Sequence, residues 1–383
     1  MSYIHVDIIQ KQSPKVFGDP CGDVIAYDIN DVSTTIVLSD GLGSGIKANI
    51  VANMCVARAL GLLRSGASLK ETFTTLVNTM NNAWGTDSPF AVFAIARILR
   101  NGDASILSYE IPPPLLINSY SGNILQTLVK PIEKAITYES HCSLNPGEGI
   151  LLVSDGITQA GLGCGLTNGW EIEGVSKFIT DKLLNKRAKQ VDIPRLVHDQ
   201  ARLLWKKSKG DDCSAVMALC RNGITVNLIT GPPKDNSLDN EIVNDFINTQ
   251  GIKIICGGTT ANMVSRVLKR PLQLKEGTGN SISPSEYEID GINCVTEGAV
   301  TLNQVYNIID EDLSEVHDKS AIFSLVEFLN MADRVNIWIG GASNKGINDI
   351  AFKQQHILSR DKIMNLLVDK LKLKGKLVVS HRV

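Results

Sequence analysis

The chain has 383 residues, more than one hydrophobic core usually serves, so two domains are expected. Hydrophobic residues make up 43% and charged residues 20%, the balance of an ordinary folded protein with apolar material for two cores. Lys and Arg number 38 against 40 Asp and Glu, a net charge of −2, which argues against a chain built to grip nucleic acid or anionic lipid.

The opening stretch MSYIHVDIIQKQ reads as a first strand and lacks the basic and apolar regions of a signal peptide. No run of about 18 apolar residues predicts a membrane span. The cysteines, Cys21, Cys55, Cys142, Cys164, Cys213, Cys220, Cys256 and Cys294, form no Cys-x-x-Cys pair. Scattered in this way they read as buried, reduced thiols, and the expected compartment is the cytoplasm.

Val24 to Tyr27 is a short predicted strand, preceded by Gly22-Asp23. Val32 to Leu38 is a β-branched run that ends at Ser39-Asp40-Gly41, a buried strand. After the turn Leu42-Gly43-Ser44-Gly45, Ile46 to Leu63 and then Leu69 to Asn82 have helical spacing. Phe90 to Leu99 and Ala104 to Ile111 flank Asn101-Gly102, a hairpin signal, and Pro112-Pro113-Pro114 forces an extended segment before the strand Leu115 to Asn118. Gly149 to Val153 is a second buried strand, and it too ends in Ser154-Asp155-Gly156. Helices are expected over Trp170 to Leu184 and Ile193 to Lys207, and Lys209-Gly210-Asp211-Asp212 turns into the strand Cys213 to Cys220. Hairpins with a few helices predict a layered α+β fold for this half.

Past residue 222 the character changes. Strands at Ile224 to Ile229, Ile252 to Cys256, Val335 to Ile339 and Lys376 to Ser380 alternate with helices at Asp239 to Thr249, Ala261 to Lys269 and Asp361 to Leu373. That alternation predicts a smaller α/β domain, 223–383, with a partly parallel sheet. Gly257-Gly258-Thr259-Thr260 and Gly340-Gly341-Ala342-Ser343-Asn344 each follow a strand. Thr260 is placed to cap a helix starting at Ala261. A helix opening after such a turn can bind an anion, so a small-molecule ligand at Gly257, Gly258, Thr259 and Thr260 is one expectation. Plain strand-to-helix turn chemistry is the simpler one.

Chemistry points instead to the first half. A carboxylate at the end of a buried strand is firmly held yet can face a cleft, and a glycine beside it lets a backbone carbonyl come close. Mg²⁺ and Mn²⁺ take such oxygen ligands. Asp23, Asp40, Asp155 and the pair Asp211-Asp212 come from four separated places and share that setting. Alone, each Asp-Gly reads as a turn. The histidines His5, His141, His198, His317, His356 and His381 do not cluster and read as surface or core residues, and Trp84, Trp170, Trp205 and Trp338 read as packing residues. Lys47 reads as a solvated lysine, although its place at a helix start would let it approach a phosphate.

The segments Ser39-Asp40-Gly41-Leu42-Gly43-Ser44-Gly45-Ile46-Lys47-Ala48 and Leu152-Val153-Ser154-Asp155-Gly156-Ile157-Thr158-Gln159-Ala160 resemble signatures of the SpoIIE-type branch of the metal-dependent, type 2C-like (PPM) protein serine/threonine phosphatases. Gly210-Asp211-Asp212-Cys213-Ser214-Ala215-Val216 resembles that family's closing motif and Gly22-Asp23 its opening one, in the family's order, within residues 1–222. The resemblance implies an αββα sandwich holding two Mn²⁺ or Mg²⁺ ions. Asp40 would bridge the ions, Asp23 and the Gly41 carbonyl would serve one, and Asp155 with Asp211, or Asp212 in its stead, the other. Catalysis would rest on Asp40, Asp155 and Asp211. A water activated by the metals would attack phosphoserine or phosphothreonine of a protein substrate, which in relatives is often an antagonist of an anti-sigma factor in bacterial partner-switching signalling. The chain departs from the family where Gln159 stands for a frequent Glu. It also has no sure equivalent of the phosphate-holding arginine and proton-donating histidine of eukaryotic relatives, which the SpoIIE-type branch generally lacks. A binding protein on a phosphatase fold that no longer turns over, and a hydrolase of small phosphate esters, are the competing readings.

Overall fold

The computed structural model describes residues 3–83, 90–206, 210–274, 287–311, 320–342 and 357–383. Trp84, Lys207, Lys209, His317, Ser343, Asn344 and His356, discussed above, lie outside them. The chain forms two units, Tyr3–Asn222 and Gly223–Val383.

In the first unit the strands are β1 (Ile4–Ser13), β2 (Asp23–Ile29), β3 (Ser33–Gly41), β4 (Ala91–Leu99), β5 (Asp103–Tyr109), β6 (Leu115–Ile117), β7 (Gly122–Ile124), β8 (Leu128–Ile132), β9 (Ala135–Ser143), β10 (Gly149–Val153) and β11 (Cys213–Asn222). The helices are α1 (Gly45–Arg64), α2 (Leu69–Ala83), the single turn α3 (Asp155–Thr158), α4 (Glu171–Leu184) and α5 (Ile193–Trp205). The strands make a 5-stranded sheet in the order β1-β11-β10-β6-β7 and a 6-stranded sheet in the order β2-β3-β4-β5-β9-β8.

Alternation along the strands builds three apolar layers. Ile36 and Leu38 of β3 face inward and pack with Ile150, Leu152, Val216 and Ala218 of the other sheet. Val37, between them, faces outward into a layer with Cys55, Val56, Ala59, Phe73, Leu76 and Val77 of α1 and α2. Leu151 and Val153 likewise face outward, against Ile172, Val175 and Ile179 of α4 and Val197 and Ala201 of α5. The result is the αββα sandwich. Helix α2 starts at a capping box: the Glu71 backbone N–H donates to Ser68 Oγ (3.2 Å) and the Ser68 N–H to Glu71 Oε2 (2.9 Å). Helix α1 is long and apolar enough to cross a membrane by length and composition. Its Ala48, Ala52, Cys55, Val56, Ala59 and Leu60 are buried against the protein, whereas Ile46, Ile50 and Met54 are exposed. All eight cysteines are free; Cys21, Cys142 and Cys164 are only half-buried, a correction to the expectation of buried thiols throughout.

In the second unit β12 (Thr225–Thr230), α6 (Asp239–Asn248), β13 (Ile252–Cys256), α7 (Gly258–Leu268), β14 (Gln273–Leu274), β15 (Tyr287–Glu288), β16 (Cys294–Thr296), α8 (Ala299–Ile308), α9 (Ala321–Met331), β17 (Arg334–Ile339), α10 (Arg360–Leu373) and β18 (Leu377–Arg382) follow in order. Their 7-stranded sheet has the order β14-β15-β16-β13-β12-β17-β18. The run from β16 to β18 is parallel, and β14 and β15 form an antiparallel edge. Helices α6 and α7 pack with Ile229, Ile255 and Trp338 on one face, and α8, α9 and α10 with Val226, Leu228 and Ile337 on the other. Helix α7 begins at Gly258, not at Ala261. Gly257, at φ 121°, takes the cap position, because the chain must turn there through a conformation that suits glycine.

Candidate metal centre

Strand β3 is buried from Ser33 to Gly41 except at Asp40, which is half-buried. Strand β2 begins at Asp23 itself and pairs it with Asp40. The opposite sheet contributes Asp155, at the head of α3, and Asp211-Asp212, just before β11. The five carboxylates meet at one end of the gap between the sheets. Asp40 feels Asp23, Asp155 and Asp211 and shares a hydrogen bond with Asp155. Asp155 feels Asp211 and Asp212, and Asp23 feels Asp212 and Asp155.

Backbone contacts fix this convergence. A Cβ on Gly156 would lie 1.9 Å from the Asp212 carbonyl oxygen, one on Gly41 2.1 Å from the Ala48 carbonyl, and one on Gly22 2.7 Å from Asp212 Oδ2. Glycine is therefore required beside each acidic segment. The two Ser-Asp-Gly segments are not equivalent. Asp40 ends a strand, whereas Asp155 opens a helical turn. The Gly156 carbonyl already accepts from Trp205 Nε1 (2.9 Å) and Cys213 Sγ (3.3 Å). Of the two, Gly41 is the one whose carbonyl the resemblance assigns to a metal.

The electrostatics are those of a site with far more negative than positive charge. Asp23 is 2% exposed, and neither of its carboxylate oxygens has a hydrogen-bond partner in bonding geometry. Burial pushes its pKa up to about 7; the nearby Ser214 and Ser154 hydroxyls hold it partly down, while Asp212 and Asp155 push it further up. Burial, then Asp23 and Asp155, push Asp40 up to about 10. Asp155 is raised as well, by burial and then Asp211. A buried, unpaired carboxylate is costly unless something compensates it. All donors here are hard oxygens, the set Mg²⁺ and Mn²⁺ take, so the residues fit the metals. Among the described residues no three His, Cys, Asp or Glu side chains stand, as placed, where they could hold a metal ion together, so the carboxylates would have to draw in around one.

Neighbouring groups hold these carboxylates in place. The Gln159 amide donates to Asp155 Oδ2 (2.8 Å). Gln12 Nε2 donates to the Asp23 carbonyl and to Ser214 Oγ, both at 2.9 Å. The Lys15 backbone N–H donates to Asp212 Oδ1 (2.9 Å), and its ammonium lies 3.6 Å from Asp211 Oδ1. No motif marks Gln12 or Lys15, because they sit where β1 ends, about two hundred residues from Ser214 and Asp212. His198, read as a core or surface residue, is buried and hydrogen-bonded to Ser13 Oγ (2.8 Å). Lys47 is exposed.

In the second unit, Gly258 and Thr259 are exposed at the start of α7. Thr260 is fully buried; its hydroxyl accepts from the Gly231 N–H (2.8 Å) and donates to the Cys256 carbonyl (3.4 Å). It ties β12 to β13 and does not cap α7, which corrects the expectation above.

The profile of the family described as Stage II sporulation protein E (SpoIIE) matches residues 30–221. Among solved structures, the chain is similar to the PP2C phosphatase domain with a fragment of the regulatory domain of SpoIIE from Bacillus subtilis, at 18% identity and TM-score 0.49, covering 57% of this chain and 63% of that one. The chain thus spans less than two thirds of that relative. It is similar to the RsbU and RsbW domains of a Mycobacterium tuberculosis protein at 15% identity and TM-score 0.46, covering 64% and 69%. It is also similar to RsbX in complex with magnesium, at 15% identity and TM-score 0.41, covering 57% and 99%. No curated protein matches the sequence.

Proposed function

The chain belongs to the SpoIIE family, and from that premise we propose that it hydrolyses phosphoserine or phosphothreonine on a protein substrate with the help of two divalent ions, Mn²⁺ or Mg²⁺. The observation that carries this reading is the pair of unpartnered oxygens on buried Asp23, surrounded by Asp40, Asp155 and Asp212. Such a group of carboxylates destabilises a fold on its own account and is relieved by cations.

Asp23, Asp40 and the Gly41 carbonyl would hold one ion, and Asp40, Asp155 and Asp211 the other. Each member of the acidic pair has one oxygen engaged, Asp211 Oδ1 by the Asp212 N–H (2.9 Å) and Asp212 Oδ1 by the Lys15 N–H (2.9 Å), so Asp212 stands as the alternative to Asp211. When bound, the ions supply an acidified water and neutralise charge on the phosphoryl group. The protein's own groups orient. Gln159 fixes the rotation of the Asp155 carboxylate by donating to its Oδ2, so that the carboxylate can also meet Asp40. The Ser154 hydroxyl accepts from the Ser214 N–H (3.0 Å) and holds the two strand ends of the second sheet together. A metal held here would compete with protons for the Asp23 and Asp40 carboxyls, whose pKa values are raised.

The proposed setting is the cytoplasm, in signalling of the partner-switching kind, with an antagonist of an anti-sigma factor as the kind of substrate. The second unit would sense a small ligand at the exposed turn of Gly258 and Thr259 and bias the phosphatase. Mn²⁺-dependent release of phosphate from a phosphoprotein, compared with p-nitrophenyl phosphate and phosphorylated metabolites, tests the reading. Asp40→Asn and Asp155→Asn are each expected to lower the rate by about a hundredfold or more. Manganese bound without hydrolysis of any ester would instead mark a binding protein on a phosphatase fold. Faster turnover of metabolites than of phosphoproteins would mark a small-ester hydrolase.

A further inference from the structure

We propose that Lys15 is the residue that receives the phosphate group of the substrate, an inference that rests on the phosphatase reading above. The turn that carries it is pinned to the acidic cluster almost residue by residue. Gln12 bonds the Asp23 carbonyl and Ser214. Ser13 is held by buried His198 through its hydroxyl and by the Cys21 thiol through its carbonyl (3.6 Å). Pro14 restricts the backbone between them. The Lys15 N–H then locks onto Asp212 Oδ1. The side chain leaves this fixed backbone toward Asp211, and it is 33% exposed, so the ammonium stands at the rim between cluster and solvent.

Charge decides what a cation in that place does. Five aspartates facing two divalent ions leave no surplus of positive charge for an incoming phosphate dianion. A lysine at the rim supplies it. Its present partner is a loose one: at 3.6 Å and part exposed, the ion pair with Asp211 is of the kind that contributes little and exchanges readily. A lysine also suits the task as a point charge on a flexible stem, able to pass from carboxylate to phosphoryl oxygen while its backbone stays fixed. Once metal engages Asp211, the ammonium loses that partner's full charge and is free for the substrate.

The test is calorimetric titration of the manganese-loaded full chain with inorganic phosphate, together with phosphate inhibition of p-nitrophenyl phosphate hydrolysis, in the wild type, Lys15→Met and Lys15→Arg. Lys15→Met is expected to weaken phosphate about tenfold in both measurements, with manganese affinity kept within about twofold, and Lys15→Arg to restore most of the loss. Equal phosphate affinity in the wild type and Lys15→Met would overturn the inference, as would a change in manganese affinity in place of phosphate affinity, which is what a mere counter-ion to Asp211 would give. A wild type that binds no phosphate overturns it too. Phosphate binding that depends on Lys15 without hydrolysis of any ester would remove the phosphatase reading while upholding Lys15 as the phosphate-binding residue. Hydrolysis indifferent to Lys15 would do the reverse.

Discussion

Asp23 and Asp40 sit side by side across β2 and β3, and their raised pKa values set how stability responds to pH. A folded carboxyl with a raised pKa keeps a proton that the unfolded chain gives up. Its contribution is fully present below the ordinary carboxylate pKa of about 4 and is lost as pH climbs through the folded value. For Asp23 that loss runs from about pH 4 and is complete above about 7, and for Asp40 it continues to about 10. Other groups pull differently: His198, its pKa lowered first by burial, favours the folded state more as pH rises to its unfolded value, and Asp7, lowered to about 2, acts only in acid. Comparing protein with and without Mn²⁺ cancels these. The stabilisation by Mn²⁺ in thermal unfolding is expected to grow by a few degrees between about pH 6 and pH 8, as metal replaces protons more cheaply. A metal effect that shrinks over that interval would show that the ion binds elsewhere. At this scale the sequence is informative about the aspartates, which carry motif neighbours, and silent about Lys15 and Gln12, whose roles arise only when β1 lies beside β11.

The elements present these side chains because glycine lets them close up. Gly156 packs so tightly on the Asp211-Asp212 turn that a methyl group there would sit 1.9 Å from a backbone oxygen. Gly156→Ala must push that turn away from Asp155. It is expected to cost about 1–3 kcal/mol in stability and to weaken Mn²⁺ about tenfold or more in calorimetry. Gly61→Ala, in α1 with nothing within 4 Å, serves as the control and is expected to be neutral or slightly stabilising. Manganese affinity unchanged in Gly156→Ala would argue that the turn takes no part. Apolar alternation made β3, β4, β10 and β11 readable in the sequence. Strand β9 escaped, since Thr137, Tyr138, Glu139 and His141 dilute its apolar pattern on a face that is partly exposed. Helix α7 was misplaced by three residues because Thr260 looks like a cap, whereas its hydroxyl is drawn to Gly231 by sheet pairing.

Two sheets, each covered by its own helices, bring carboxylates from either side to a common end, and this is what makes the first unit a candidate for metal chemistry. The layer assignment was legible because Ile36, Val37 and Leu38 must face opposite ways. The reversal of strand order between β12 and β17 was not, since strands are ordered by pairings between distant segments. The claim on which the rest stands is that Asp23, Asp40, Asp155 and Asp211 surround divalent ions. Anomalous diffraction at the manganese edge, from crystals grown with Mn²⁺, addresses it directly. The account predicts manganese peaks enclosed by those carboxylates. Manganese found only elsewhere on the protein, with Asp23 still buried and bare, would contradict it.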